Sequence, residues 1–145
     1  MATSGSDSAA GETAAAGYDL GPFAAGLGIE VAAVEGAPGE RVVRARMAWR
    51  PELVTAGETL HGGALMAFAD TVGALCGALN ARGVNAGTSE SKTNFFRPLT
   101  GGHVHAVARA LHSGRTSVVV QTELFDDEQR RVANVIQTQV VRPAG

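Results

Sequence analysis

Gly62-Gly63-Ala64-Leu65-Met66-Ala67-Phe68-Ala69-Asp70-Thr71-Val72-Gly73-Ala74-Leu75-Cys76-Gly77-Ala78-Leu79-Asn80-Ala81 is the stretch that decides how this chain folds. Almost every residue in it is apolar or glycine, and Asp70 is its only charged side chain. A run of this length reads as a helix, and about 20 apolar residues is also what a bilayer demands. A carboxylate near the middle is expensive in lipid, however, and Gly62, Gly63, Gly73 and Gly77 dilute the hydrophobicity. The expectation is therefore a helix buried inside a soluble domain, covered nearly all round, and no membrane span.

The flanking sequence supplies the cover. Leu20, Phe23, Ala24 and Leu27 recur at helical spacing between Tyr18 and Leu27, with Gly26 and Gly28 to stop the turn, and a strand follows near Ile29 to Val34. Beyond the Gly36-Ala37-Pro38-Gly39 turn, Val43, Ala45, Met47 and Trp49 alternate with Arg44, Arg46 and Ala48, the period-two pattern of a half-buried strand that Pro51 ends. After the long helix, Thr88 to Phe96, Val104 to His112, Arg115 to Phe125 and Arg131 to Val141 also read as strands. Short turns at His112-Ser113-Gly114 and Asp126-Asp127-Glu128-Gln129 make the last three an antiparallel meander. The predicted class is α+β, an antiparallel sheet wrapped around one long central helix. One curved sheet cannot enclose a helix on every side, so a second copy of the chain is the natural lid, and a homodimer is expected.

Bulk properties narrow the field. The chain has 145 residues, enough for one core but not two. Residues 1–17, rich in Ala, Ser, Gly and Thr, read as a disordered tail before a single domain over 18–145. A formal net charge of -2 without a run of Lys and Arg speaks against a nucleic-acid partner. The single Cys76 cannot form an internal disulfide, and Met1-Ala2-Thr3-Ser4 lacks the basic start of a signal peptide, so the expected compartment is the cytoplasm. No Gly-Xaa-Ser-Xaa-Gly elbow surrounds a serine and no phosphate-cradling glycine loop precedes a helix. His103 and His105 share a strand face, yet no third ligand stands at suitable spacing, so no metal site is expected.

Two features carry chemistry. His61-Gly62-Gly63 opens the helix, where absent side chains leave the first backbone N–H groups open to a carbonyl oxygen that is becoming negative. The same glycines would also let the helix start pack closely against a strand. Asp70 lies among apolar helical neighbours, and an unpaired buried carboxylate costs several kcal/mol, so it has either a functional role or a structural ion pair. Eight residues of helix separate Gly62 from Asp70, a rise of about 12 Å, too far for both to meet one reacting carbon. Two helices running antiparallel across a dimer axis would bring one helix start to the middle of the other.

The run Leu60-His61-Gly62-Gly63-Ala64-Leu65-Met66-Ala67-Phe68-Ala69-Asp70, followed by Thr88-Ser89-Glu90-Ser91-Lys92-Thr93-Asn94-Phe95-Phe96-Arg97-Pro98, resembles the hotdog-fold acyl-CoA thioesterases, in the branch similar to the phenylacetate-pathway enzymes. The likeness continues through Ser113-Gly114-Arg115-Thr116 and Asp126-Asp127, roughly from residue 20 to 142. It implies a hotdog fold assembled as dimers that often pair into tetramers, with an acyl-CoA thioester as substrate and no separate cofactor. Gly62 would then give its N–H to the thioester oxygen, and Asp70 of the other subunit would act as nucleophile or as base for water. His61 and Gly63 would complete the helix start, and Thr88 would position water. Thr55 departs from the Asn or Gln that relatives frequently carry there, and Glu58 is the nearest match to the loop acid of another hotdog pattern.

Phosphates of coenzyme A favour Arg forks and free backbone donors, for which Gly114, Arg115 and Thr116 are first candidates and Arg97 the second. Met66, Phe68, Phe95 and Phe96 are expected to shape the acyl pocket, with aromatic and medium-chain groups both open. Two rival functions are a non-catalytic acyl-CoA sensor and a hydratase. The hydratase would need a His paired with an acid near the substrate, and the sequence displays no such pair.

Overall fold

His61 starts the central helix. Its backbone is extended (φ -59°, ψ 135°) and its ring Nδ1 accepts a hydrogen bond from the Gly63 N–H at 2.8 Å, an N-cap made by an imidazole. Helix α2 then runs Gly62–Asn80 in the computed structural model, which describes residues 17–144. All of the expected tail except Gly17 lies outside the described residues. At the far end Asn80 is buried and tied to the chain before the second strand. It accepts from Arg41 N at 2.7 Å and donates to Arg41 O at 2.9 Å, so its amide is satisfied without water.

The described residues also hold α1 (Gly21–Leu27) and six strands: β1 (Glu30–Glu35), β2 (Val42–Ala48), β3 (Val84–Phe95), β4 (His103–Ser113), β5 (Ser117–Phe125) and β6 (Arg131–Arg142). All pair antiparallel in one sheet of order β1-β2-β4-β5-β6-β3, with β4-β5-β6 the meander that the short turns required. Period-two patterning sends Val43, Met47, Val104, Val118, Val120, Leu124 and Val135 inward, all fully buried against α2. Ala45 lies opposite Ala106 on adjoining strands, small residues that let the helix settle close to the sheet.

In the single chain α2 is covered on one side, where Leu65, Phe68, Ala69, Val72 and Cys76 are buried, while Met66 is 42% exposed and Asp70 is half-buried on the side that the sequence reading assigns to a second copy. Two expectations need correction. The third strand begins at Val84 rather than Thr88, because register shifts at Asn85/Gly87 and Thr88/Glu90 break its alternation. The fifth begins at Ser117, since Gly114 N donates to Ser117 O and takes Arg115 and Thr116 into the turn. β3 is an edge strand bonded only to β6, and most of its residues are exposed.

Candidate active site

Asp70 projects from the side of α2 that faces β3 and β6. Its Oδ1 accepts two hydrogen bonds, from Thr88 Oγ1 at 2.7 Å and from Gln137 Nε2 at 3.0 Å. None of the ion pairs among the described residues includes Asp70, so neutral donors, not a counter-ion, compensate its partial burial. Oδ2 has no partner among the described residues. The carboxylate is thus gripped by one oxygen and presents the other.

Behind this grip lies a layer of buried amides. Gln139 donates to Thr88 Oγ1 at 2.7 Å and accepts from Asn85 Nδ2 at 3.1 Å. Room for it comes from α2, where Gly73 and Gly77 stand one turn apart: a Cβ at Gly73 would overlap the Gln137 amide, and one at Gly77 would come within 2.6 Å of Gln139 Cγ. Sequence reasoning missed both glutamines. The available signal was their phase, because Gln137 and Gln139 fall in step with the inward residues Val135 and Val141 on β6.

At the helix start the two glycines differ. Ala64 N and Leu65 N both donate to His61 O, and Gly63 N is taken by the His61 ring, which corrects the reading of Gly63 as a second open donor. Gly62 N–H has no acceptor among the described residues. A Cβ at Gly62 would stand 3.3 Å from Phe95 Cζ, so close packing on β3 and an open donor are both served by the same glycine.

The other candidates are dispersed. Gly114 N–H closes the β4–β5 turn and is not free, another correction, while Arg115 and Thr116 are exposed beside it. Arg97 lies at the opposite end of the sheet. Its N–H reaches Val132 O whereas Thr116 O takes Val141 N, nine residues along β6 and roughly 30 Å away. Thr55 is engaged in its own turn, its hydroxyl 3.1 Å from Thr59 Oγ1 and accepting from Gly57 N, and Glu58 is exposed there with φ 62°. Phe68 is 0% exposed and belongs to the core, so it cannot line a pocket, whereas Phe95 and Phe96 remain exposed.

A His–carboxylate pair that the sequence did not reveal does exist. His105 Nε2 and Asp127 Oδ1 are 2.7 Å apart. Val104, Ala106 and Ala108 point inward, so His105 faces the outer side of the sheet, away from Asp70. That outer side carries a hollow of about 490 Å³, bordered by Arg44, His105, Arg109 and Glu123. A smaller apolar groove of about 290 Å³ adjoins the start of α2, between Phe23, Leu27, Leu53, Val54, Ala64 and Ala67. The one thiol is no rival nucleophile: burial pushes Cys76 up to about 11.

Comparison with known proteins agrees with this layout. The profile of the thioesterase superfamily matches residues 57–133, from the loop before α2 into β6. The proofreading thioesterase EntH of Cronobacter sakazakii is 36% identical over 73 residues, 50% of this chain and 53% of that protein. The chain spans 53 to 59% of the length of the sequence relatives it matches. Among solved structures, the Escherichia coli PaaI protein from the phenylacetic acid degradation operon superposes with a TM-score of 0.74 at 25% identity, over 84% of this chain and 85% of that one. The phenylacetic acid degradation protein PaaI from Thermus thermophilus, solved in a mutant form, gives 0.72 at 29% identity, over 84% of this chain and 100% of that one. A matched region that contains both α2 and the strand beside Asp70, on an antiparallel sheet wrapped round one helix, identifies the fold as hotdog, and the chain belongs to the thioesterase superfamily.

Proposed function

We propose that the chain hydrolyses acyl-coenzyme A thioesters as a homodimer, with Asp70 of one protomer acting on a carbonyl held by the Gly62 N–H of its partner. The observation that carries the reading is the state of Asp70: a half-buried carboxylate with no counter-ion among the described residues, held through Oδ1 and open at Oδ2. A carboxylate kept only for folding would be expected in an ion pair or a cap.

The chemistry follows from the two termini of the arrangement. Gly62 N–H at a helix start offers a fixed donor to the oxygen that gains charge as the carbonyl carbon becomes tetrahedral, worth about 3 to 4 kcal/mol of barrier. Oδ2 of Asp70 either attacks that carbon, leaving after loss of the thiolate a mixed anhydride that water cleaves to the free acid and the restored carboxylate, or takes a proton from the water that attacks the carbon directly. Coenzyme A departs as a thiolate, a good leaving group with a thiol pKa near 8.5, so no strong acid is required. After a single turnover in heavy-oxygen water, label in Asp70 identifies the covalent route with water attacking the Asp70 carboxyl carbon, and a trapped acyl-enzyme identifies it when water attacks the acyl carbon.

The second copy is supported by β3, a long exposed edge strand that is a ready template for pairing with another chain. Antiparallel pairing brings Arg97 of one protomer and Arg115 of the other to the same end of the assembly, where the phosphates of coenzyme A would lie. The apolar groove at the start of α2 suits an aromatic or medium-chain acyl group. Pairing of dimers into a tetramer is the further assembly that the exposed outer sheet face allows.

Thiol release from a panel of acyl-CoA substrates tests the reading, with Asp70→Asn as the control that keeps shape and removes charge. Release by the wild-type chain and loss of most turnover in a folded Asp70→Asn variant are expected. Saturable binding with no release from any substrate would establish a sensor instead. A hydratase is disfavoured because the His105–Asp127 pair is on the far side of the sheet.

A further inference from the structure

We propose that Gln137 and Gln139 are positioning residues that determine which oxygen of Asp70 reacts, an inference that rests on Asp70 being the reactive carboxylate. Both glutamines are 0% exposed and occupy inward positions of β6 that an apolar side chain would fill at less cost.

The direction of every hydrogen bond in the chain to Asp70 is set by backbone groups. Gly87 N–H, which can only donate, reaches Asn85 Oδ1 at 2.9 Å, and Ala74 O, which can only accept, takes Asn85 Nδ2 at 3.1 Å. The Asn85 amide is therefore fixed with its NH2 toward Gln139 Oε1 at 3.1 Å. That in turn aims the Gln139 NH2 at Thr88 Oγ1, 2.7 Å away. With an N–H arriving, the Thr88 hydroxyl must send its own proton elsewhere, and Asp70 Oδ1 is 2.7 Å from it.

Gln137 adds a second donor to the same oxygen at 3.0 Å, and the Asp70 carbonyl at 3.4 Å holds its NH2 on that side. Its Oε1 is left buried without a partner. A lone buried acceptor is a loss for folding, so a positioning role, not stability, accounts for the residue. With both donors on Oδ1, Oδ2 alone is left for chemistry.

Methionine replaces either glutamine at similar volume without a donor. For Gln137→Met the expectation is a thermal midpoint equal to or above wild type together with a kcat about tenfold lower at unchanged KM. A lower midpoint with wild-type kcat would overturn the proposal, since that is how a packing residue behaves. Gln139 acts only through Thr88, so Gln139→Met lowers kcat severalfold in the wild-type background and leaves the kcat of Thr88→Val where it was. An equal loss in both backgrounds would contradict the relay. If Asp70→Asn turns over at the wild-type rate the underlying assignment fails; if Asp70→Asn is inactive while both methionine variants keep wild-type kcat, only the positioning fails.

Discussion

Among the described residues Asp70 Oδ2 and the Gly62 N–H each lack a partner, and such groups persist where a ligand completes them. Asp70 was legible as a residue to explain because it interrupts an apolar helix. The way it is held was not legible: Gln137 and Gln139 are polar residues on a strand, and only their phase with Val135 and Val141 turns them inward. The distinction between Gly62 and Gly63 was equally hidden, since it depends on the rotamer of His61, whose ring takes the second N–H. Cys76 yields a prediction at this scale. With burial holding the thiol up to about 11, the thiolate is about one part in ten thousand at neutral pH. A thiol reagent at pH 7 should therefore leave the native protein unlabelled for as long as it stays folded, and label one site on addition of denaturant; rapid native labelling would contradict the burial of Cys76 on the sheet-facing side of α2.

At the scale of elements, the face of α2 that meets β6 is cut to fit two glutamines. Gly73→Ala would gain about 1 kcal/mol of helix propensity but drive a methyl group into the buried Gln137 amide. Overpacking typically costs about 1 to 3 kcal/mol, so a net loss of stability in denaturant titration, with kcat falling as Gln137 shifts, is expected. A stabilised Gly73→Ala would mean that the amide has room to move. The β5–β6 turn makes a separate prediction. Burial works to raise the Asp126 carboxyl, but the Arg130 N–H, the Arg130 guanidinium and the Glu128 N–H together hold it below its ordinary 3.8, and the His105 ring and His103 N–H do the same for Asp127. Groups depressed in the folded state bind protons more weakly than in the unfolded chain. Their contribution is present at neutral pH and drains away as pH falls through about 4 and below. Thermal midpoints measured from pH 7 to pH 3 should fall for the wild type and fall less steeply for an Asp126→Asn, Asp127→Asn double variant; parallel slopes would remove these two carboxylates as a source of acid sensitivity. Short turns made the meander legible, whereas the start of β3 was obscured where Gly87, at φ 126°, and the adjoining register shifts interrupt the alternation.

For the whole molecule, the helix is the feature that asks for a partner. One face is packed on the sheet while Met66, Asp70 and Ala74 remain at least partly open, and β3 runs exposed along the same side. The expected enclosure of α2 is therefore incomplete in a single chain, and the apolar run calls for a second one. Roughly 12 Å of helix rise keeps Gly62 and Asp70 of one chain from sharing a carbonyl, so the proposed site requires two chains. Subunit mixing tests this directly. Gly62→Pro removes the N–H at the first helical position, where proline's fixed φ suits the helix once the exposed Phe95 ring gives way to the added carbons, and Asp70→Asn removes the carboxylate; each variant, verified as folded, should be nearly inactive alone. Refolded together in equal amounts, they should recover about a quarter of wild-type thiol release, because half of the dimers are mixed and each mixed dimer rebuilds one of its two sites. No recovery on mixing, with mixed dimers present, would mean that Gly62 and Asp70 do not meet across the two protomers.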